Sequence, residues 1–168
     1  MARSFRLDQT DWKILHELQR DGRITNVELA NRAGISPPPC LRRVRTLEEQ
    51  GFITGYRAVL DPVALGFEVT MFAMVGLHSQ AESDLVAFEE RARRWPIVRE
   101  CYMMSGEVDF ILKCVAKDLH TAQEFVISDL TKAPNVDSVK TTLMLRVSKY
   151  EPGVPLSGQS GQAGPAGA

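Results

Sequence analysis

Residues 25–50 read TNVELANRAGISPPPCLRRVRTLEEQ, two short helices hinged on Gly34. Thr25 followed three residues later by Glu28 has the form of a capping box, in which hydroxyl and carboxylate satisfy backbone donors at a helix start. Val27, Leu29, Ala30 and Ala33 supply small and apolar packing positions, and the methyl of Ala30 lets a second helix cross at close range. Gly34 tolerates the positive φ of a sharp exit. Ile35 then re-enters the core and Ser36 opens the next helix. Pro37, Pro38 and Pro39 occupy its first turn, where N–H groups have no intrahelical acceptor and little is forfeited. With those donors gone, the Ser36 hydroxyl has less to cap and is free to meet a phosphate.

Helical geometry sorts the side chains that follow. Cys40, Leu41, Val44, Leu47 and Glu48 fall on one side, with Glu48 at its edge. Pro38, Pro39, Arg42 and Thr46 lie opposite, and Arg43 and Arg45 sit on the flanks. A helix that packs on one face and carries arginines on the other suits the major groove of DNA. Arg42 is placed for base edges, while Arg43 and Arg45 are placed for phosphates, which position a protein without reading sequence. The alternative for one flanking arginine is an ion pair with Glu48 or Glu49.

Upstream, Asp8 caps a helix in which Trp12, Leu15 and Leu18 recur at helical spacing, with Ile14 and His16 beside that stripe. Trp12 reads as core rather than as a stacking platform. Gly22 ends the helix. Downstream, Phe52–Leu60 reads as a hairpin-like segment, so three helices plus a wing make a winged helix-turn-helix. Arg57, on the wing's second strand, is placed for a flanking phosphate.

Charge is unevenly spread over the 168 residues: net −1 overall, but 10 Lys+Arg against 7 Asp+Glu in residues 1–60 and 10 against 14 thereafter. The basic excess falls on the half expected to meet DNA. There is no apolar run near 18 residues and no charged-then-apolar leader, which points to a cytoplasmic protein with no membrane partner. Cys40, Cys101 and Cys114 form no CxxC and are odd in number, so they read as buried free thiols. His16, His78 and His120 have no metal-ligand spacing. No nucleophile elbow, phosphate-binding glycine loop or HExxH is present, so no catalytic and no metal-binding residue is assigned.

From Phe67 the period changes. FEVTMFAMVGL is a near-continuous apolar and β-branched run, a strand buried on both faces or within an oligomer. DLVAFEERARRW follows as a helix with Leu85, Val86, Phe88, Glu89 and Ala92 on its mostly apolar face, stopped by Pro96. IVRECYMMSG and DFILKCVA are two strands joined at Gly106-Glu107-Val108. LHTAQEFVISDL is a second helix with Leu119, Ala122, Phe125, Val126 and Leu130 inward, and VDSVKTTLMLRVSKY a long last strand. The order β-α-β-β-α-β is the ferredoxin-like unit. A sheet with apolar residues on both alternations and only two helices needs a partner, so dimerisation through the sheet is expected. After Glu151, PGVPLSGQSGQAGPAGA is poor in core formers and reads as a disordered tail.

The fold expected is thus α+β with two domains: a winged helix-turn-helix over 1–52 (helix-turn-helix about 25–49), a wing and linker strand over 53–66, a ferredoxin-like domain over 67–150 and a tail over 151–168.

Four segments together resemble the leucine-responsive/asparagine-operon (Lrp/AsnC) family of transcription regulators: LDQTDWKILHELQRDGRIT, ELANRAGIS, CLRRVRTLEEQGFITGYRAVLDP and ECYMMSGEVDFILK. The resemblance runs from about Leu7 to Lys149 and implies a DNA-binding domain joined to a domain that oligomerises and senses amino acids. It also implies dimers that assemble further, to tetramers or octamers, with a small-molecule pocket between dimers. On this chain the pocket falls on Met104, Ser105, Gly106 and Asp109, with Thr141, Thr142 and Leu143 of the last strand and Leu119 at the second helix start. The chemistry is coherent: a glycine turn offers N–H donors to a carboxylate, and Asp109 an anionic acceptor to an ammonium. The alternative is that Gly106 forms a hairpin turn only and Asp109 pairs with a neighbour. Two positions depart from the family pattern. Pro38 stands where a small hydroxyl residue is common, and Glu107-Val108 where an Asp and an aromatic are common.

The function expected is a sequence-specific DNA-binding regulator on a palindromic operator, homo-oligomeric, modulated by a free amino acid and without a cofactor. The competing readings are a ligand-independent architectural protein that wraps DNA and, more remotely, a small enzyme built on the ferredoxin-like half.

Overall fold

The computed structural model describes residues 6–156, which form two compact units. One is Leu60–Tyr150; the other comprises, among the described residues, Arg6–Val59 together with Glu151–Leu156.

The N-terminal unit is built on α1 (Gln9–Arg20), α2 (Asn26–Ala33) and α3 (Pro37–Glu49). α1 starts on a complete capping box: the Asp8 carboxylate accepts from Asp11 N–H at 2.9 Å and the Asp11 carboxylate accepts from Asp8 N–H at 3.0 Å. At α2 only half of the expected box forms. The Thr25 hydroxyl accepts from Glu28 N–H at 3.2 Å, but the Glu28 carboxylate turns down the helix to Arg32, where an i,i+4 ion pair forms at 2.9 Å. Gly34 closes α2 with φ +75°, as its position between the helices requires. The core is Ile14, Leu29, Ala30, Ala33, Cys40 and Leu47, with Val44, Leu15, Leu18 and Ile35 packed partly against it. Ile14 is therefore the residue α1 buries completely, while Trp12 and Leu18 of the expected stripe are half-buried. Leu41, expected on the packing side of α3, is exposed.

Residues 53–60 form no strand, so the wing hairpin expected there is not made. Val59 and Leu60 are exposed, and the segment is anchored by the Tyr56 hydroxyl, which donates to Glu48 Oε1 at 3.0 Å. Burial and that bond together push the Tyr56 phenol up to about 12, burial being the larger cause.

The second unit is a four-stranded antiparallel sheet in the order β2-β3-β1-β4, with β1 Val69–Leu77, β2 Val98–Met103, β3 Phe110–Ala116 and β4 Val136–Leu143. Alternation on β3, and on β1 from Met71 onward, buries Met71, Ala73, Val75 and Leu77 together with Phe110, Leu112, Cys114 and Ala116, while Thr70 is also buried at the start of β1. Helices α4 (Glu82–Arg94) and α5 (Leu119–Glu124) complete the layer; α5 runs on as a π-helical segment, Phe125–Leu130. Phe88, Ala92, Ala122, Phe125 and Leu130 close over the buried strand residues. Phe88 packs on Phe110 with ring centroids 4.7 Å apart, and Trp95 meets Phe125 edge-on at 5.2 Å.

Several details differ from expectation. Leu119 and Val86 are exposed rather than inward. The last strand ends at Leu143, after which β1, which ends its pairing with β4 at Met71, offers only the Thr70 carbonyl to Met144 N–H. Cys40 and Cys114 are buried, but Cys101 lies exposed on the edge strand β2. The tail expected from residue 151 takes a defined place at its start, where Val154 is hydrogen-bonded to Gln19. Residues 157–168 of that tail lie outside the described residues.

Candidate nucleic-acid interface and ligand turn

α3 is aimed by its first turn. Its N-cap Ser36 makes no side-chain capping bond, because Pro37–Pro39 leave it no early N–H donors, and the first bond into the helix runs from Cys40 N–H to Ser36 O at 3.2 Å. Asn26, at the start of α2, donates through Nδ2 to Pro37 O at 2.9 Å and so fixes where α3 begins. Its Oδ1 is enclosed without a partner among the described residues.

With Cys40 and Leu47 buried beneath, Arg42 and Arg45 emerge exposed on the outer side and make no ion pair among the described residues. Thr46 donates to Arg42 O at 3.0 Å, so its hydroxyl turns back on the helix. Ser36 at the cap and Pro38, Arg42 and Arg45 along α3 are thus exposed, with Thr46 partly covered, and Pro38 contributes shape without a donor.

Arg43 belongs elsewhere. Its Nη1 lies 2.8 Å from Asp8 Oδ2 and 2.7 Å from Asp11 Oδ1, so the expected phosphate contact is replaced by a clamp between α3 and the start of α1. Asp11 is nearly inaccessible, and an unpaired carboxylate there would be costly, which is why the guanidinium is drawn inward. Neither Glu48 nor Glu49 takes the flanking arginine: Glu48 accepts from Tyr56 instead. The Asp8-x-x-Asp11 spacing is the sequence signal that ties these two carboxylates to a helix start. A second inter-helix pair, Arg32 with Glu17 at 2.8 Å, joins α2 to α1, and the Arg32 hydrogen bond holds the Glu17 carboxyl below its ordinary value. Arg57 is exposed on the irregular segment after α3, not on a wing strand.

In the second unit, the turn between β2 and β3 carries Met104, Ser105 and Gly106, all exposed. Gly106 has φ +144° with open space about its Cα, so its backbone is accessible to a ligand. Asp109 closes this turn: Met104 N–H donates to its carbonyl at 2.8 Å and its own N–H donates to Val75 O at 2.9 Å. Its carboxylate is also engaged, accepting from Leu77 N–H at 2.6 Å and from Gln80 Nε2 at 2.8 Å. Asp109 therefore has a structural role, bracing the end of β1, and each oxygen keeps one further lone pair for an outside donor.

The remaining predicted pocket residues are not beside this turn. Asp109 precedes β3 and Leu119 follows it, ~20 Å apart along an extended strand of that length. Thr141, Thr142 and Leu143 pair with Ala73, Phe72 and Met71 of β1, on the side of the sheet remote from β2. Thr141 and Leu143 are in register with residues buried under the helices, whereas Thr142 is in register with Phe72 on the opposite face. Within one chain the expected pocket residues therefore fall in separate places, the 104–109 turn on one hand and Leu119 and the β4 positions on the other. Among the described residues, no group of three or more His, Cys, Asp or Glu is placed to hold a metal, and no helix is long and apolar enough to cross a membrane.

Comparison with known proteins finds a match in each half of the chain. Residues 7–54 match the family described as winged helix-turn-helix DNA-binding, and residues 70–154 match the Lrp/AsnC ligand binding domain. The chain is 59% identical over 143 residues to a leucine-responsive regulatory protein of Rhizobium meliloti, covering 85% of this chain and 92% of that one. Among solved structures, a transcriptional regulator of Neisseria meningitidis in complex with L-Met superposes with a TM-score of 0.85 at 35% identity, covering 90% of this chain and 97% of that one. An AsnC family regulator of Agrobacterium tumefaciens gives 0.82 at 34% identity, with 89% and 97% covered.

Proposed function

This chain belongs to the Lrp/AsnC family of DNA-binding transcriptional regulators, which are not enzymes, and on that premise we propose that it reads a palindromic operator in the cytoplasm as a homo-oligomer tuned by a free amino acid. The observation that carries the reading is the edge of α3. Arg42 and Arg45 stand exposed there while the one neighbouring arginine is turned into the fold by Asp8 and Asp11. A solvated charged face needs no such sorting; a face that meets DNA does, because each cation not needed for stability is left to a phosphate or a base. In this reading Arg42 and Thr46 face base edges, Ser36 and Arg45 meet phosphates, Pro38 shapes the approach, and Arg57 reaches a flanking phosphate.

The sheet supports the oligomeric part of this reading. Its face away from the helices carries Phe72, Met74, Ile111, Val115 and Tyr102 around the Lys113–Glu100 ion pair, which closes at 2.8 Å. A second copy covers this face, and the twofold relation sets two α3 helices against two half-sites. The effector site is then completed between copies: the Met104–Asp109 turn of one meets the Leu119, Thr141, Thr142 and Leu143 region of another. Gly106 offers N–H donors to the carboxylate and Asp109 its remaining lone pairs to the ammonium. Leucine and methionine are the first effectors to try, since one relative is leucine-responsive and one neighbour was solved holding L-Met.

Two measurements on the full chain test this. Fluorescence anisotropy with palindromic and scrambled duplexes across a salt series should show specific binding that weakens with salt. A thermal-shift screen of the twenty amino acids, with mass in solution followed in parallel, should show a shift for an apolar amino acid. Specific DNA binding with no shift for any amino acid favours the ligand-independent architectural reading; no binding to either duplex overturns the proposal.

A further inference from the structure

The segment after Tyr150 belongs to the N-terminal unit, and its seat there is specific. Gln19, in the last turn of α1, holds Val154 by both backbone groups: Nε2 donates to Val154 O at 2.8 Å, and Oε1 accepts from Val154 N–H at 3.0 Å. A side-chain amide used this way replaces a neighbouring strand. The residue before it, Gly153, has φ +106°, and a Cβ built there would collide with Gln19 Oε1 and lie 2.6 Å from its Cδ. The Gln19 amide has no room to retreat without releasing Val154. Beyond this point Val154, Pro155 and Leu156 form one wall of an apolar cleft of about 570 Å³. Its other walls include Trp12, Leu15 and Leu18 of α1 and Tyr56 of the segment after α3. The half-buried side of α1 that the three-helix core leaves uncovered is therefore the side the C-terminal segment meets.

We propose that Pro152–Leu156 is an intrachain clasp: the chain's own C-terminal segment closes on the DNA-binding unit at Gln19, with Gly153 as the only residue type that fits the crossing. The occupant is this segment in the same chain, because it is seated there directly after Tyr150 and satisfies both amide groups of Gln19. The clasp makes the segment after Tyr150 part of the same compact unit as α1. The clasp does not rest on the DNA or effector readings above.

Hydrogen–deuterium exchange of the intact protein tests it. The peptide spanning 151–156 should be protected in the parent chain, and protection should fall about tenfold or more in Gln19→Ala and in Gly153→Ala, each of which removes two hydrogen bonds. Gln19→Glu keeps an acceptor for Val154 N–H but loses the donor, so its effect should be smaller. Circular dichroism checks that both alanine variants keep their helices. Exchange of 151–156 at the rate of a free peptide in the parent chain, or exchange unmoved by either alanine substitution, overturns the clasp. A chain ended at Glu151 should keep the parent's mass in solution; a smaller assembly would show that the segment joins copies and would overturn the intrachain assignment.

Discussion

Arg43 Nη1 sits 2.7 Å from Asp11 Oδ1, joining the middle of α3 to the first turn of α1. The same nitrogen also reaches Asp8 at 2.8 Å, so one guanidinium serves both members of a capping box. Arg43→Ala should therefore cost about 1–3 kcal/mol of stability, most of it from the carboxylate of Asp11 left enclosed without its partner. Urea denaturation measures this. Arg43→Lys should recover part of the loss, since a single nitrogen makes both contacts.

The same cluster sets a pH dependence. Burial pushes Asp8 up, but the Asp11 backbone N–H and the Arg43 guanidinium together outweigh it and hold the carboxyl below its ordinary 3.8. Hydrogen bonds from Arg32 and Lys113 hold Glu17 and Glu100 below 4.5 in the same way. A carboxyl depressed in the folded state adds stability that is fully present above its unfolded value and disappears as pH falls through the folded one. The melting temperature should be nearly flat from about pH 6 upward, as far as these groups are concerned, and decline on acidification below about pH 4.5. In Arg43→Ala the decline should be shallower, because Asp8 then titrates closer to its unfolded value.

Much of this was legible in the chain because local rules and tertiary packing agree. Gly34 between two apolar-patterned segments, the Asp8 cap and the β-α-β-β-α-β order need only periodicity and turn chemistry. Periodicity fails where a partner is long-range. Arg43 occupies a flank that helical geometry alone cannot tell from a phosphate-facing one, since its acceptors lie 32 and 35 positions away. Trp12 and Leu18 have the spacing of a closed stripe, yet the three-helix core leaves them half-open on a cleft whose further wall, at Val154, lies 135 positions downstream of Gln19. Phe52–Leu60 has strand-like residues but no partner strand among the described residues, and β propensity expresses itself only where a ladder exists. The pocket residues come from resemblance, and one chain cannot bring them together because they occupy different ends and edges of its sheet.

Asp109 braces β1, and substitution can separate that role from the effector contact proposed for it. Asp109→Ala removes the acceptor of Leu77 N–H, a residue at the buried end of β1, and should destabilise the protein by about 1–3 kcal/mol. Asp109→Asn keeps an acceptor there but removes the negative charge. The asparagine variant should melt close to the parent yet lose the amino-acid-induced shift, while the alanine variant loses both. A shift retained in Asp109→Asn would confine Asp109 to bracing β1.

Ser36 is an N-cap that caps nothing with its side chain. An ordinary Ser→Ala cap substitution costs about 1 kcal/mol. Ser36→Ala should cost well under that, because there is no capping bond to lose, while weakening DNA binding through a lost phosphate contact. Paired melting and anisotropy measurements decide it: full-sized destabilisation with unchanged DNA affinity would return Ser36 to a purely structural role.

The three arginines of α3 should then part company on DNA. Arg42, exposed above the buried Cys40 and Leu47 face, should be the base reader: Arg42→Ala is expected to lose roughly 1–3 kcal/mol of discrimination between operator and mutated operator. Arg45→Ala should weaken binding evenly across sequences and lower the slope of log affinity against log salt by about 1, the mark of one lost phosphate contact. Arg43→Ala, measured well below its lowered melting point, should leave that slope unchanged, because its charge is already neutralised by Asp8 and Asp11 in the free protein. A salt slope reduced as much by Arg43→Ala as by Arg45→Ala would mean that the clamp opens on DNA and releases the guanidinium to a phosphate. Equal, sequence-independent losses for Arg42 and Arg45 would mean that α3 lies along the backbone without entering the groove.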